Sequence, residues 1–231
     1  MAKTSRSRRR KRQAKARPGG SRWTLEVLFD RVRRDEQLRN NTLILLASDN
    51  GPEPGAGSAK PLRGSKGQLY EGGIRSPLIV WGPGLIPKVN TGVTNATAVL
   101  SAIDLNRSVY AITNAPLPTS VALDGEDLSS TLLGRTSAGR QSPLFWRRPP
   151  DRGGENDKPN PDLAVRDGRW KFYLSYDGGS TQLYNLDSDV SESNNVAGLH
   201  PDIVDRLTKA ILKWNAELPS DAGDPAFPSN N

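Results

Sequence analysis

Asn41-Thr-Leu-Ile-Leu-Leu-Ala-Ser-Asp-Asn-Gly51 is the stretch that decides the fold class. Thr42 to Ser48 is a short, nearly continuous apolar run. Such a run predicts a strand buried on both faces of an α/β sheet. It stops at Asp49-Asn50-Gly51. Ligands and metals in α/β sheets gather at the carboxyl ends of strands. A carboxylate beside a carboxamide supplies hard oxygens, which suit Ca²⁺ or Mg²⁺. The same three residue types also form ordinary strand-ending turns, so taken alone the stretch leaves both readings open. Ca²⁺ takes roughly 6–8 oxygens, and two side chains cannot complete such a shell.

Working outward, Trp23 to Asn40 predicts an amphipathic helix. Leu25, Leu28, Phe29 and Val32 recur at helical spacing on one face. Downstream, the Gly/Pro-rich stretch Gly51 to Gly67 predicts a loop, and Pro77-Leu-Ile-Val-Trp-Gly82 predicts a second strand. A helical pattern spans Val99 to Ile112, starting near Asp104. Residues 134–162 are rich in Pro, Arg and Gly and suggest a boundary. Beyond it, Arg169 to Tyr176 and Thr181 to Leu186 alternate in period two around Asp177-Gly178-Gly179, a hairpin signature. Pro201 to Leu218 predicts a closing helix with Ile203, Leu207, Ile211 and Trp214 on one face.

Composition narrows the function classes. The 231 residues include 32 Lys+Arg against 25 Asp+Glu, a formal +7. A basic balance invites a polyanion partner, but ten of the basic residues lie in residues 1–22, which hold no acid. Residues 23–231 keep 22 basic and 25 acidic residues, a net of −3. Residues 1–22 therefore read as a disordered basic tail. Cys is absent and His200 is the single histidine, which excludes disulfides, thiolate or His-cluster metal sites and a Cys nucleophile. No apolar run is long enough to span a membrane. No apolar segment follows the N-terminal charges, so no export signal is read there and the compartment stays open.

The second informative stretch is Leu62-Arg-Gly-Ser-Lys-Gly-Gln-Leu-Tyr-Glu-Gly-Gly-Ile-Arg-Ser-Pro77. Glycines around Lys66 leave backbone N–H groups and an ammonium open to a tetrahedral oxyanion. By composition alone, a solvated flexible loop competes equally. Together with the strand ending in Ser-Asp-Asn-Gly, in this order and spacing, it resembles the sulfatase family of arylsulfatase-like sulfuric ester hydrolases. Leu78 to Gly84, Ala102 to Leu105, Leu123 to Leu128, Pro143 to Trp146, Ala164 to Lys171 and Leu183 to Asp187 extend the resemblance, which covers roughly residues 24–218 of the chain.

The resemblance implies an alkaline-phosphatase-like α/β sheet, here its C-terminal part, over residues 23–134. A linker over 135–162 and a small α+β subdomain over 163–219 would follow, with a frayed tail at 220–231. It implies that Asp49 and Asn50 are two of four side-chain ligands of a divalent cation, Ca²⁺ ahead of Mg²⁺. Lys66 would contact the sulfate oxygens, and Arg63 could line the substrate mouth. Glu71, Gly72, Gly73 and Arg75 match the motif and are read as shaping the loop. The substrate implied is a sulfate-ester small molecule or a sulfated glycan.

Departures from the family matter as much. Its nucleophile is a formylglycine made from Cys or Ser in Cys/Ser-x-Pro-x-Arg, and this sequence contains neither a Cys nor a Ser-x-Pro-x-Arg. The family's N-terminal Asp pair and catalytic histidines have no counterpart, and His200 is read as a helix-start residue. The expectation is a sulfatase-family chain whose catalytic nucleophile is missing, with a possible separate N-terminal half and no catalysis alone. Two alternatives stand beside it. One is a non-catalytic remnant with an exposed strand edge at Leu43–Ala47. The other is a nucleic-acid or other polyanion binder using residues 1–22, disfavoured because that tail has no aromatic for base stacking.

Overall fold

A computed structural model describes residues 25–148 and 160–219. The basic tail 1–22, part of the expected linker and the tail 220–231 lie outside the described residues. The elements are mixed α and β: α1 (Leu25–Arg34), α2 (Glu36–Asn41), β1 (Ile44–Ala47), α3 (Glu71–Ile74), β2 (Leu78–Trp81), α4 (Ala102–Thr113), α5 (Ser129–Leu132), β3 (Leu144–Arg147), β4 (Leu163–Asp167), β5 (Trp170–Leu174), β6 (Thr181–Asn185) and α6 (Pro201–Glu217).

The expected single N-terminal helix is divided in two. Asp35 accepts hydrogen bonds from the N–H groups of Gln37 and Leu38 at 3.1 and 3.2 Å, capping α2. A capping aspartate has extended backbone, so the first helix must stop before it. Of the apolar face on α1, only Val32 is buried.

β1 pairs antiparallel with β2, in the register Ile44 to Trp81, Leu45 to Val80, Leu46 to Ile79 and Ala47 to Leu78. These two strands form a sheet of their own. Burial of β1 on both faces, as its apolar run led us to expect, is therefore corrected. α1 meets this sheet through Phe29 edge-on to Trp81, with ring centroids 4.8 Å apart. Leu46 and Ile79, paired at the other end, remain 38% and 57% exposed. An apolar run reports affinity for a core, and the covering layer must come from elsewhere in the fold.

α4 begins with a capping box between Ser101 and Asp104. The buried Asp104 carboxylate also accepts the Glu126 N–H at 2.8 Å and the Arg140 guanidinium at 2.6 Å. Three sequence-distant segments thus meet on one charge, close-packed because a Cβ on Gly125 would fall 2.0 Å from the Ile103 carbonyl.

The larger sheet has the order β3-β4-β5-β6, all antiparallel. The hairpin read from the alternation is β5–β6, and β3 lies inside the stretch read as a linker. One face packs Leu163, Val165, Phe172, Leu174 and Leu183 against Leu207 and Ile211 of α6. Trp170 and Trp214 flank this core, and Trp170 also rests against the ring of His200, which precedes the first turn of α6. The opposite face, through Ala164, Tyr173, Tyr184 and Leu186, packs on Leu69 and Tyr70. The sheet is therefore covered by α6 on one side and by the glycine-rich motif on the other, and that second contact positions the site.

Candidate functional site

Asp49 and Asn50 follow the carboxyl end of β1, with Asp49 exposed and Asn50 partly buried. The turn is fixed by Ser48 Oγ, which donates to the Asn50 carbonyl at 2.9 Å. Two backbone bonds then tie this turn to the glycine-rich motif. Gly51 N–H donates to the Gly73 carbonyl at 2.9 Å, and Lys66 N–H donates to the Pro52 carbonyl at 3.1 Å. The contact is too close for side chains. A Cβ on Gly51 would sit 1.9 Å from the Gly72 carbonyl oxygen, and one on Gly73 would sit 2.1 Å from that of Gln68. Glycine at these positions is a requirement of backbone approach.

Lys66 is half-exposed and its ammonium pairs with Glu53 Oε2 at 3.0 Å. An exposed pair of this kind contributes little stability, so the ammonium can exchange Glu53 for another oxyanion at small cost. Glu53 is a site neighbour that the sequence reading missed. Its only signal was an acid inside a loop of glycine and proline.

Arg63, expected at the substrate mouth, makes contacts within the fold. Its guanidinium donates to the Tyr184 hydroxyl at 3.0 Å and to the Glu192 carbonyl at 3.1 Å, and it lies 3.9 Å from the centre of the Tyr70 ring. It joins the motif to the larger sheet.

Glu71 anchors the same contact more deeply. Its carboxylate, 2% exposed, pairs with the fully buried Lys171 ammonium at 3.1 Å and with Arg166 at 3.2 Å. Its N–H donates to Glu192 Oε2 at 2.9 Å, and Glu192 also accepts the Tyr173 hydroxyl. Lys171 further lies 4.3 Å from the centre of the Trp146 ring. Burial pulls the Lys171 pKa down, and the Glu71 and Glu192 carboxylates oppose that pull. Burial pushes Glu192 up, against its bonds from Tyr173 and the Glu71 N–H. Tyr173 is pushed well above the ordinary phenol range, by burial first and by Glu192 second. The motif marks Glu71 as loop-shaping, whereas no sequence pattern marks Lys171 or Glu192.

Among the described residues, no group of three or more His, Cys, Asp or Glu could hold a metal. A shallow cavity of about 460 Å³ lies between β6 and α6, lined by Thr181, Ala197, Pro201, Val204 and Asp205. None of Asp49, Asn50 or Lys66 lines it.

Comparison with known proteins settles the family. The sulfatase family model matches residues 23–115, the segment that carries both motifs. The chain belongs to the sulfatase family. Human arylsulfatase A is 35% identical over 207 residues, covering 77% of this chain and 38% of that protein. An N-acetylgalactosamine-6-O-sulfatase of Bacteroides thetaiotaomicron is 31% identical over 216 residues, covering 82% of this chain and 39% of that protein. This sulfatase chain thus spans about two-fifths of the length of these curated relatives. A solved structure from a Bacteroides thetaiotaomicron glycosaminoglycan-metabolism locus superposes with a TM-score of 0.65 at 28% identity, over 84% of this chain and 43% of that one. A phosphonate monoester hydrolase of Agrobacterium radiobacter shares the fold at a TM-score of 0.57 and 21% identity, covering 84% of this chain and 38% of that one. The α/β, alkaline-phosphatase-like class implied by the two motifs is the class of these structures. Family membership also implies a metal ion.

Proposed function

We propose that this chain supplies the cation-holding and sulfate-facing wall of a sulfuric ester hydrolase acting on small-molecule sulfate esters or sulfated glycans. The observation that supports it is the backbone pairing of the Asp49–Pro52 turn with the Lys66 motif, through Gly51 to Gly73 and Lys66 to Pro52. Two hard-oxygen donors and one exchangeable ammonium thereby belong to a single backbone unit. A carboxylate and an ammonium carried on one backbone unit suit an anionic ester that also coordinates a cation.

Asp49 and Asn50 fit Ca²⁺ by donor chemistry, since both offer oxygens next to solvent. They supply part of a coordination shell, and the remaining donors come from outside this pair. Bound there, the ion would neutralise negative charge on the ester oxygens. Lys66 would donate to the sulfate oxygens after releasing Glu53, orienting the ester and offsetting its charge. The chain has no Cys and no Ser-x-Pro-x-Arg, so its own residues perform binding and orientation and not the nucleophilic step.

Calorimetric titration of the 231-residue protein tests this. Asp49→Ala is expected to weaken Ca²⁺ binding by about tenfold or more, a loss typical of removing a ligand or its support. Lys66→Ala is expected to leave Ca²⁺ binding intact and to weaken sulfate binding in its presence. No aryl sulfate turnover is expected from this chain alone with Ca²⁺ added. Turnover abolished by Lys66→Ala would overturn the assignment of a binding role only. Ca²⁺ and sulfate affinities unmoved by both substitutions would overturn the site.

A further inference from the structure

The buried charges beneath the motif have no part in the binding roles above. Lys171, Glu71 and Glu192 are each at most 2% exposed. A buried ion pair is a weak source of net stability, because desolvation offsets most of the attraction. What such a pair enforces is geometry, since a displaced partner leaves an uncompensated charge.

That geometry leads directly to the site. Lys171 lies on β5 and holds the Glu71 carboxylate at 3.1 Å. Glu192, in the segment after β6, holds the Glu71 N–H at 2.9 Å. Glu71 opens α3, whose Gly73 carbonyl accepts the Gly51 N–H beside Asn50. Gly72 N–H donates to the Arg63 carbonyl at 2.7 Å, at the start of the Lys66 loop. These segments meet backbone to backbone. A Cβ on Gly72 would fall 2.5 Å from the carbonyls of both Arg63 and Gly64, so no side chain cushions a shift of α3. Close-packed backbone transmits displacement instead of absorbing it.

We propose that Lys171 and Glu192 are positioning residues that set the separation of the Asp49-Asn50 turn from the Lys66 loop. This rests on the cation and sulfate roles given to those residues above. The small antiparallel sheet then serves as the template on which the two halves of the binding wall are registered.

Asp104–Arg140 provides an internal control. It is equally buried, with side chains 0% and 5% exposed, and it joins α4 to the segments around Glu126 and Ser142. Amide hydrogen exchange should be followed by mass spectrometry in the full chain for wild type, Lys171→Met and Arg140→Met. Lys171→Met is expected to accelerate exchange about tenfold at residues 49–51 and 63–68 through easier local opening. Arg140→Met is expected to accelerate exchange around residues 101–108 and 124–128 and to leave the site segments at wild-type rates.

In parallel, Lys171→Met should weaken Ca²⁺ affinity by about 10-fold, the usual cost of losing an outer support of a metal site. Arg140→Met should leave that affinity unchanged. Should Lys171→Met fail to fold, Glu71→Gln/Lys171→Met removes both charges together and carries the same test, since such pairwise replacement is often tolerated. Site segments that keep wild-type exchange in the Lys171 variants, or that respond equally to Arg140→Met, overturn the proposal. A wild-type chain that binds no Ca²⁺ defeats the cation reading, and the exchange data still decide the positioning role.

Discussion

Lys171 stands where strand alternation places a solvent-facing side chain, between Trp170 and Phe172. It is instead fully buried, against Glu71 and the Trp146 ring. Tyr173, next on the same face, donates to the Leu69 carbonyl at 3.2 Å and to Glu192. The consequence is a pH dependence. Its folded pKa lies well above the ordinary 10.0, so its contribution is complete below pH 10. Above that value the unfolded phenol ionises while the folded one keeps its proton, and stability is lost as pH rises. Lys171, with its pKa lowered, acts in the opposite sense: its contribution is present above the unfolded value and is lost as pH falls through the folded one. Tyr173→Phe separates the two. It is expected to be less stable at pH 7 by about 1–2 kcal/mol for the lost hydrogen bonds. Thermal melts should show the gap to wild type narrowing above pH 10. A gap that is constant from pH 7 to 11 would contradict the burial argument.

At the scale of elements, α3 is a single turn with no side-chain cap, and two of its four residues are glycine. Such a segment has little intrinsic helicity. Its order comes from the charges on Glu71 and from the backbone contacts of Gly72 and Gly73. Gly73→Ala should therefore cost about 1–3 kcal/mol through overpacking against carbonyls that cannot withdraw. Chemical denaturation measures that loss, and Gly168→Ala is the informative contrast. A Cβ on Gly168 meets nothing within 4 Å, so only the strain of its positive φ is added there. A Gly73→Ala protein no less stable than Gly168→Ala would show that the close approach is not a constraint. α6 was legible in advance, because its spacing of Ile203, Leu207, Ile211 and Trp214 needs only local periodicity. β3 was not, because a four-residue strand among prolines and arginines becomes visible only when β4 pairs with it.

For the whole molecule, the described residues form a larger sheet covered on both faces and a two-stranded sheet that is not. Leu46 and Ile79 lie side by side on the exposed part of β1–β2, and Leu25 and Leu28 of α1 are about half-exposed. Exposed apolar side chains beside an uncovered strand edge favour association. The isolated chain is expected to show concentration-dependent light scattering, and Leu46→Lys/Ile79→Lys is expected to suppress it. Equal scattering by both proteins would place the association elsewhere. No helix among the described residues is long and apolar enough to cross a membrane.

The sequence by itself determined the family and the α/β class, and it singled out Asp49 and Asn50 as cation-ligand candidates and Lys66 as a sulfate-contact candidate. Those features are carried by short contiguous motifs whose meaning survives without partners. Tertiary structure alone decided which surface each motif meets. It set Arg63 against Tyr184 and Glu192, buried Lys171 against Glu71, and left β1 half-exposed. The physical reason is the same in all three. Burial and ion pairing depend on what is packed opposite, and residues 71, 171 and 192 are brought together only when the motif closes over the sheet.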